Sequence, residues 1–143
     1  MDIARLSVGK VAKFIAIVVI AFIVGAAVFF FFMVRSKSKA ALRDAKNIRV
    51  ALQAADIEMY GVKKTIFNPY NPYGLEDTVD DKVNELVDVK GKYRITSYDM
   101  KKHELTGMTY KEGNYTVTFT KKNDNIIWDV DYNLNVFTFK DTD

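Results

Sequence analysis

The chain has 143 residues, no cysteine and a net charge of +3 at neutral pH, so it can hold one ordinary domain and no disulfide, thiolate zinc site or cysteine nucleophile. Residues 1–39 carry six Lys or Arg against one acid, a net +5 that leaves −2 on residues 40–143. The basic residues therefore flank the apolar segment described next and suit anionic lipid headgroups, and we expect no direct nucleic-acid partner.

The first predicted element is a transmembrane helix over residues 14–34, which follows a short cytoplasmic leader of residues 1–13. The segment has 21 residues without charge or proline, about 31 Å as a helix, and this length matches the hydrocarbon core of a bilayer. It is too long for a signal-peptide core, and Gly25-Ala26-Ala27 runs directly into more apolar residues. We therefore expect a single-pass membrane protein. Positive charges at the two ends are nearly balanced, so charge alone leaves the orientation open.

Residues 35–60 are predicted to continue the helix as an amphipathic extension, because no Pro or Gly occurs before Gly61. Apolar residues recur there at steps of four and three, which predicts a seam that packs on a partner surface. The seam consists of Ala41, Ala45, Ile48, Leu52, Ala55 and Met59.

Two further rows of residues lie beside the seam on the predicted helix. The polar row consists of Lys46, Arg49, Gln53 and Asp56, and beyond it lies a smaller apolar strip of Val50, Ala54 and Ile57. Two interpretations of the strip stay open: contact with another subunit, or packing into the chain's own domain.

The chain from Val62 to Gly91 is predicted to be a loop followed by a short helix. The loop holds two turn signals, Asn68-Pro69 and Asn71-Pro72. We expect the helix to begin with Thr78 as its N-cap and to end by Gly91.

After Gly91 the pattern changes to the alternation of an antiparallel sheet. Tyr115, Val117 and Phe119 alternate with threonines, as in a half-buried strand, and Lys122–Asn125 has hairpin chemistry. Four or five such strands are predicted, with an apolar face that covers the seam. Residues 61–143 thus form one domain with residues 35–60. The predicted fold class is α+β, a long N-terminal helix with a transmembrane and an amphipathic half, packed on a small antiparallel sheet.

The sequence contains no residue pattern typical of an active site. His103 is the only histidine, and a triad or a metal-bound water needs more partners than it has. Asp129, Asp131, Asn133 and Asn135 carry oxygen ligands of the kind that calcium prefers, but an extended strand spreads them over about 20 Å, so we expect a solvated strand face. We expect no enzyme activity, cofactor, metal or small-molecule substrate.

The order of these parts resembles that of type IV pilins and pseudopilins. Residues 40–60, AALRDAKNIRVALQAADIEMY, resemble the pilin stretch that follows the membrane segment. Tyr70 to Leu86, with its Tyr73-Gly74-Leu75, is similar to the loop of major pseudopilins. The resemblance implies a cytoplasmic N-terminus, an extracytoplasmic C-terminal domain, and other pilin-like subunits or further copies of the chain as partners in the bilayer.

Gly9 is the candidate for the processing site that this resemblance implies. Prepilins usually place Phe or Met after that glycine and a glutamate soon afterwards, whereas here Lys10 follows and no acid occurs between Asp2 and Asp44. These departures fit a minor or unprocessed pilin-like protein better than a major fibre subunit.

Two functional hypotheses result. The first is a membrane-anchored pilin-like structural subunit of a surface filament, secretion or DNA-uptake system, acting by helix packing and assembly. The alternative is a solitary membrane-anchored extracytoplasmic binding module, a helix-plus-sheet domain like that of cystatins or of nuclear transport factors.

Overall fold

The computed structural model describes residues 8–132 and 137–142. Two helices are followed by five strands, and the chain divides into two compact units, Met1–Ser36 and Lys37–Asp143. The elements are α1 (Val8–Gly61), α2 (Val79–Leu86), β1 (Lys92–Asp99), β2 (Glu104–Glu112), β3 (Tyr115–Lys122), β4 (Asn125–Tyr132) and β5 (Phe137–Thr142). The predicted fold class, a long N-terminal helix with a small antiparallel sheet, is confirmed.

The described part of the first unit is entirely helical and belongs to α1. α1 is the one helix, among the described residues, that is long and apolar enough to span a membrane, and its apolar window is 0% buried. Large side chains such as Phe22 and Phe29 stand 77% and 71% exposed. An apolar helix buried in a soluble core would have these side chains covered, so that interpretation does not describe this segment.

The sheet of the second unit is an antiparallel meander in the order β1-β2-β3-β4-β5. The predicted hairpin between β3 and β4 is confirmed: Lys122 pairs with Asn125, and Asn123 and Asp124 have φ angles of 49° and 65°. Such left-handed conformations suit a two-residue turn, and Asn and Asp tolerate them better than most residues. In β1, the pairing with β2 shifts between Ile95 and Ser97, which leaves Thr96 as an extra residue in a bulge.

One face of this sheet covers the seam of α1. Every seam residue is at most 9% exposed, and the sheet contributes fully buried side chains to the same core, among them Tyr110, Val117, Phe119 and Trp128. Small residues in the seam let the helix approach the large aromatic residues of the strands closely.

The short helix has Thr78 at its N-cap position as predicted, but Thr78 makes no capping hydrogen bond and the helix ends earlier than predicted. α2 is Val79–Leu86, and Thr78 has a φ of 80°. The helix stops before Gly91, because Val87 is already extended (φ −140°, ψ 146°). Gly91 instead lies against β2, where an added Cβ would collide with the Lys111 carbonyl group and the ring of Tyr110. Its missing side chain thus permits a close approach of two backbones.

The predicted solvated face of β4 is described only in part. Asp129 pairs with Thr118 of β3, and Asp131 pairs with Thr116. Both acids stand half-buried on the sheet face away from α1. Asn133 and Asn135 lie outside the described residues.

Candidate functional site

The apolar strip on α1 does not pack into the chain's own domain. Val50 is 63% exposed and Ile57 is 75% exposed, and Ala54 between them is also exposed. The seam, in contrast, is buried against the sheet. Any helix packing with another molecule therefore has the strip, and not the seam, as its available surface in this domain.

The polar row turns out to dock the helix on the sheet, a role that the sequence analysis missed. The Lys46 ammonium group donates a hydrogen bond to Asp141 of β5 at 2.9 Å, and the Arg49 guanidinium group lies 4.6 Å from the centroid of the Phe119 ring. The latter is a cation–π contact, which gains strength where water is partly excluded.

Asp56 is the most buried member of the polar row, with 7% of its surface exposed. The Tyr98 hydroxyl donates to its two carboxylate oxygens at 2.8 and 2.9 Å, and the backbone N–H of Ile66 donates to it as well. Burial raises the pKa of the Asp56 carboxyl above 3.8, while these hydrogen bonds and the nearby His103 act in the opposite direction. This carboxylate joins α1, the following loop and β1.

The structure places His103 in a turn of the second unit and Gly9 in the helix of the first unit. His103 is exposed in the β1–β2 turn, and its ring packs on that of Tyr60 at a centroid distance of 4.7 Å. Gly9 lies in the first residues of α1, exposed, with nothing within 4 Å of an added Cβ.

A groove of about 540 Å³ lies between the loop that follows α1 and the first two strands. Its wall is apolar and consists of Phe67, Pro69, Pro72 and Tyr73. Its floor carries long cationic side chains and two hydroxyls, from Lys92, Arg94, Thr96, Thr109 and Lys111. None of the described residues that line the groove is acidic.

The wall is held in place by turns that use the two Asn-Pro signals. The Asn68 side-chain oxygen accepts the N–H of Tyr70 at 3.0 Å, and the Asn71 oxygen accepts the N–H of Tyr73 at 3.1 Å. Asparagine side chains stabilise turns in this way by accepting a hydrogen bond from two residues further on. The two turn signals in the sequence therefore correspond to turns in the structure.

The wall is also joined to β1 directly. The Ile95 N–H donates to the carbonyl oxygen of Tyr73 at 3.0 Å. Gly74 has a φ of 70°, and an added Cβ would lie under 3.0 Å from the Ile95 carbonyl oxygen. Only glycine combines this conformation with so close an approach, so Gly74 fixes the distance between wall and floor.

The floor concentrates positive charge. Lys92 of β1 is paired with Lys111 of β2, and Arg94 with Thr109. Like charges directly opposite each other on a sheet are destabilising. None of the three cations forms an ion pair within residues 8–132 and 137–142, whereas four other lysines of the domain do; these are Lys46, Lys82, Lys90 and Lys121.

Comparison with known proteins adds no relative, because no family model, curated protein or solved structure matches the chain. The fold itself defines a class: an α+β protein whose long, N-terminally apolar helix packs on a small antiparallel sheet, with one helix suited to a single membrane span. This architecture is compatible with pilin-like proteins.

Proposed function

We propose that the protein is a membrane-anchored, pilin-like structural subunit of a surface filament, secretion or DNA-uptake system, with its C-terminal domain outside the cytoplasm. It acts by helix packing and assembly, not by chemistry. One observation carries the proposal: among the described residues, α1 contains both an apolar window that is 0% buried and, in its domain half, an exposed strip of Val50, Ala54 and Ile57.

The strip is suited to weak lateral contacts between copies of the chain. Covering Val50 and Ile57 removes side chains from water that are 63% and 75% exposed, which contributes about 1–2 kcal/mol each. Such a contact is too weak to hold two freely diffusing molecules together. Anchoring in one bilayer raises the effective concentration of neighbouring copies, and repetition along an assembly adds the contacts together.

Site-directed crosslinking tests the proposal, and the absence of cysteine makes every introduced thiol unique. Ala54→Cys places a thiol in the strip, and Asn84→Cys places a thiol at another exposed helical position, on α2, as the matched control. In membranes that contain the full chain, A54C should form crosslinked dimers and N84C should not. Adding Ile57→Lys to A54C should abolish the crosslink, because a charge in the strip opposes its burial.

Two outcomes would contradict assembly through the strip. Equal crosslinking at both positions would indicate random collision, and strictly monomeric protein at both would favour the solitary anchored binding module. The control variant also tests the orientation: N84C in intact cells should react with a membrane-impermeant maleimide if the domain is extracytoplasmic.

A further inference from the structure

We propose that the groove between the 67–74 loop and strands β1 and β2 is a binding site for a phosphorylated sugar unit, either free or as the repeat of an anionic polymer. This site is independent of assembly through the strip. It also goes beyond the sequence analysis, which predicted no small-molecule partner.

The charge of the groove indicates an anionic ligand. Lys92, Arg94 and Lys111 share one face of β1 and β2, all three exposed and without an acid among the described lining residues. The chain beyond Lys39 has a net charge of −2, so this concentration of positive charge runs against the average of its domain. Repulsion between Lys92 and Lys111 disfavours the unoccupied groove, and a bound phosphate between them would remove that repulsion.

The wall indicates that the ligand also has a ring. The Phe67 ring is stacked on that of Tyr98, with centroids 5.8 Å apart and planes 14° apart, so its orientation is fixed. Tyr73 is 51% exposed and offers the groove a second aromatic surface. Flat apolar walls of this kind pack against the C–H faces of a sugar ring, since both surfaces are then removed from water.

The floor supplies hydrogen-bonding groups suited to sugar hydroxyls. The Thr96 and Thr109 hydroxyls can each donate and accept, and the bulge in β1 places Thr96 out of the regular pairing with β2. A volume of about 540 Å³ lies within the range of small-ligand sites and suits one ring-sized unit and its phosphate. The groove therefore matches a single phosphorylated sugar unit in charge, in shape and in hydrogen bonding.

Binding is tested on the full chain in nanodiscs by isothermal titration calorimetry. The probes are glucose 6-phosphate, glucose and inorganic phosphate. Glucose 6-phosphate should bind more tightly than inorganic phosphate, and glucose should show no measurable heat of binding. Binding of glucose 6-phosphate should weaken with added salt, because the cations are exposed.

Two variants and a control separate the groove from general surface charge. Arg94→Gln should weaken binding of glucose 6-phosphate by about tenfold or more, while Lys101→Gln, which removes an exposed cation in the β1–β2 turn outside the groove, should leave it unchanged. Tyr73→Ala should weaken glucose 6-phosphate binding but leave inorganic phosphate binding unchanged. The fluorescence of Trp128, the only tryptophan, reports that each variant is folded.

A phosphodiester-linked sugar polymer is the second arm of the experiment. Tighter binding of the polymer than of glucose 6-phosphate assigns the groove to a polymer repeat, and the reverse assigns it to a free phosphorylated sugar. The proposal is overturned if the wild-type chain binds neither glucose 6-phosphate nor the polymer. It is equally overturned if Lys101→Gln weakens binding as much as Arg94→Gln, because the attraction would then not belong to the groove.

Discussion

Replacing Gly74 by alanine should detach the wall of the groove from the sheet and destabilise the domain by about 1.5–3.5 kcal/mol. Gly74 has a φ of 70°, and the site of its missing Cβ lies under 3.0 Å from the Ile95 carbonyl oxygen. An alanine at this position therefore meets two separate penalties, one from its own backbone conformation and one from the neighbouring strand.

The magnitude follows from these two penalties. A left-handed conformation costs an L-residue about 1–2 kcal/mol relative to glycine. Ordinary contact begins at 3.4 Å, so the loop must also move away from β1 by several tenths of an ångström or more. That movement removes the hydrogen bond from the Ile95 N–H to the Tyr73 carbonyl oxygen, which contributes about 0.5–1.5 kcal/mol.

Two other glycines separate the penalties. Gly113 has a φ of 56° with nothing within 4 Å of an added Cβ, so Gly113→Ala should cost only the conformational part, about 1–2 kcal/mol. Gly91 has no positive φ, but its added Cβ would collide with the Lys111 carbonyl oxygen. Gly91→Ala therefore isolates the steric part.

Urea unfolding of the full chain in detergent, followed by Trp128 fluorescence, measures all three variants. Trp128 is 0% exposed, so unfolding of the sheet should change its emission. With a slope of about 2 kcal/mol per molar urea, Gly74→Ala should lower the midpoint by about 0.8–1.8 M, more than Gly113→Ala does. If Gly74→Ala and Gly113→Ala lower it equally, close packing of the wall on β1 adds nothing, and the account of the groove wall is refuted.

Ionisation of buried groups should make the stability of the domain depend on pH at both ends of the scale. Burial and the hydrogen bond to Asp56 raise the pKa of Tyr98 from 10.0 to about 12, so the stabilising contribution of Tyr98 is complete below pH 10 and is lost as the pH rises through 12. The urea midpoint should therefore fall less steeply between pH 10 and pH 12 for Tyr98→Phe than for the wild-type chain. An equally steep fall in both proteins would contradict the raised pKa of Tyr98. Burial raises the pKa of Asp56 above 3.8, so its contribution is complete below pH 3.8 and is lost as the pH rises through the raised value. Asp56→Asn should therefore gain stability relative to the wild-type chain as the pH rises above about 4, and a difference that does not change with pH would count against a carboxyl group whose pKa is raised by burial.

The main elements of the fold could be predicted because their signals are local. An uninterrupted apolar run, a seam at helical spacing and the alternation around Val117 each depend on a few neighbouring residues. The hairpin at Asn123-Asp124 was predictable for the same reason, since its turn chemistry lies in two adjacent residues. The end of α2 could not be predicted from local signals. Gly91 is needed for contact with Lys111 and Tyr110, which belong to a strand further along the chain.

The groove could not be predicted because its parts are distant in sequence. Tyr73 belongs to a loop, Arg94 to β1 and Lys111 to β2, and only the register of the two strands brings the cations together. The sequence did hold a partial signal: Lys92 and Arg94 alternate with buried residues on the first strand. Alternating cations are typical of any solvated strand face, so the pattern alone does not distinguish a binding site from an ordinary surface.

Periodicity predicted that the sheet would cover the seam of α1 but left open whether the strip packs into the same domain, and the polar row between them explains the outcome. Hydrophobic burial is not directional, so it would allow the helix to rotate between seam and strip. The hydrogen bonds from Lys46 to Asp141 and from Tyr98 to Asp56, with Arg49 over a ring of β3, can form in one rotation only. These contacts select the rotation in which the seam is buried, and they leave the strip facing outward where another copy can reach it.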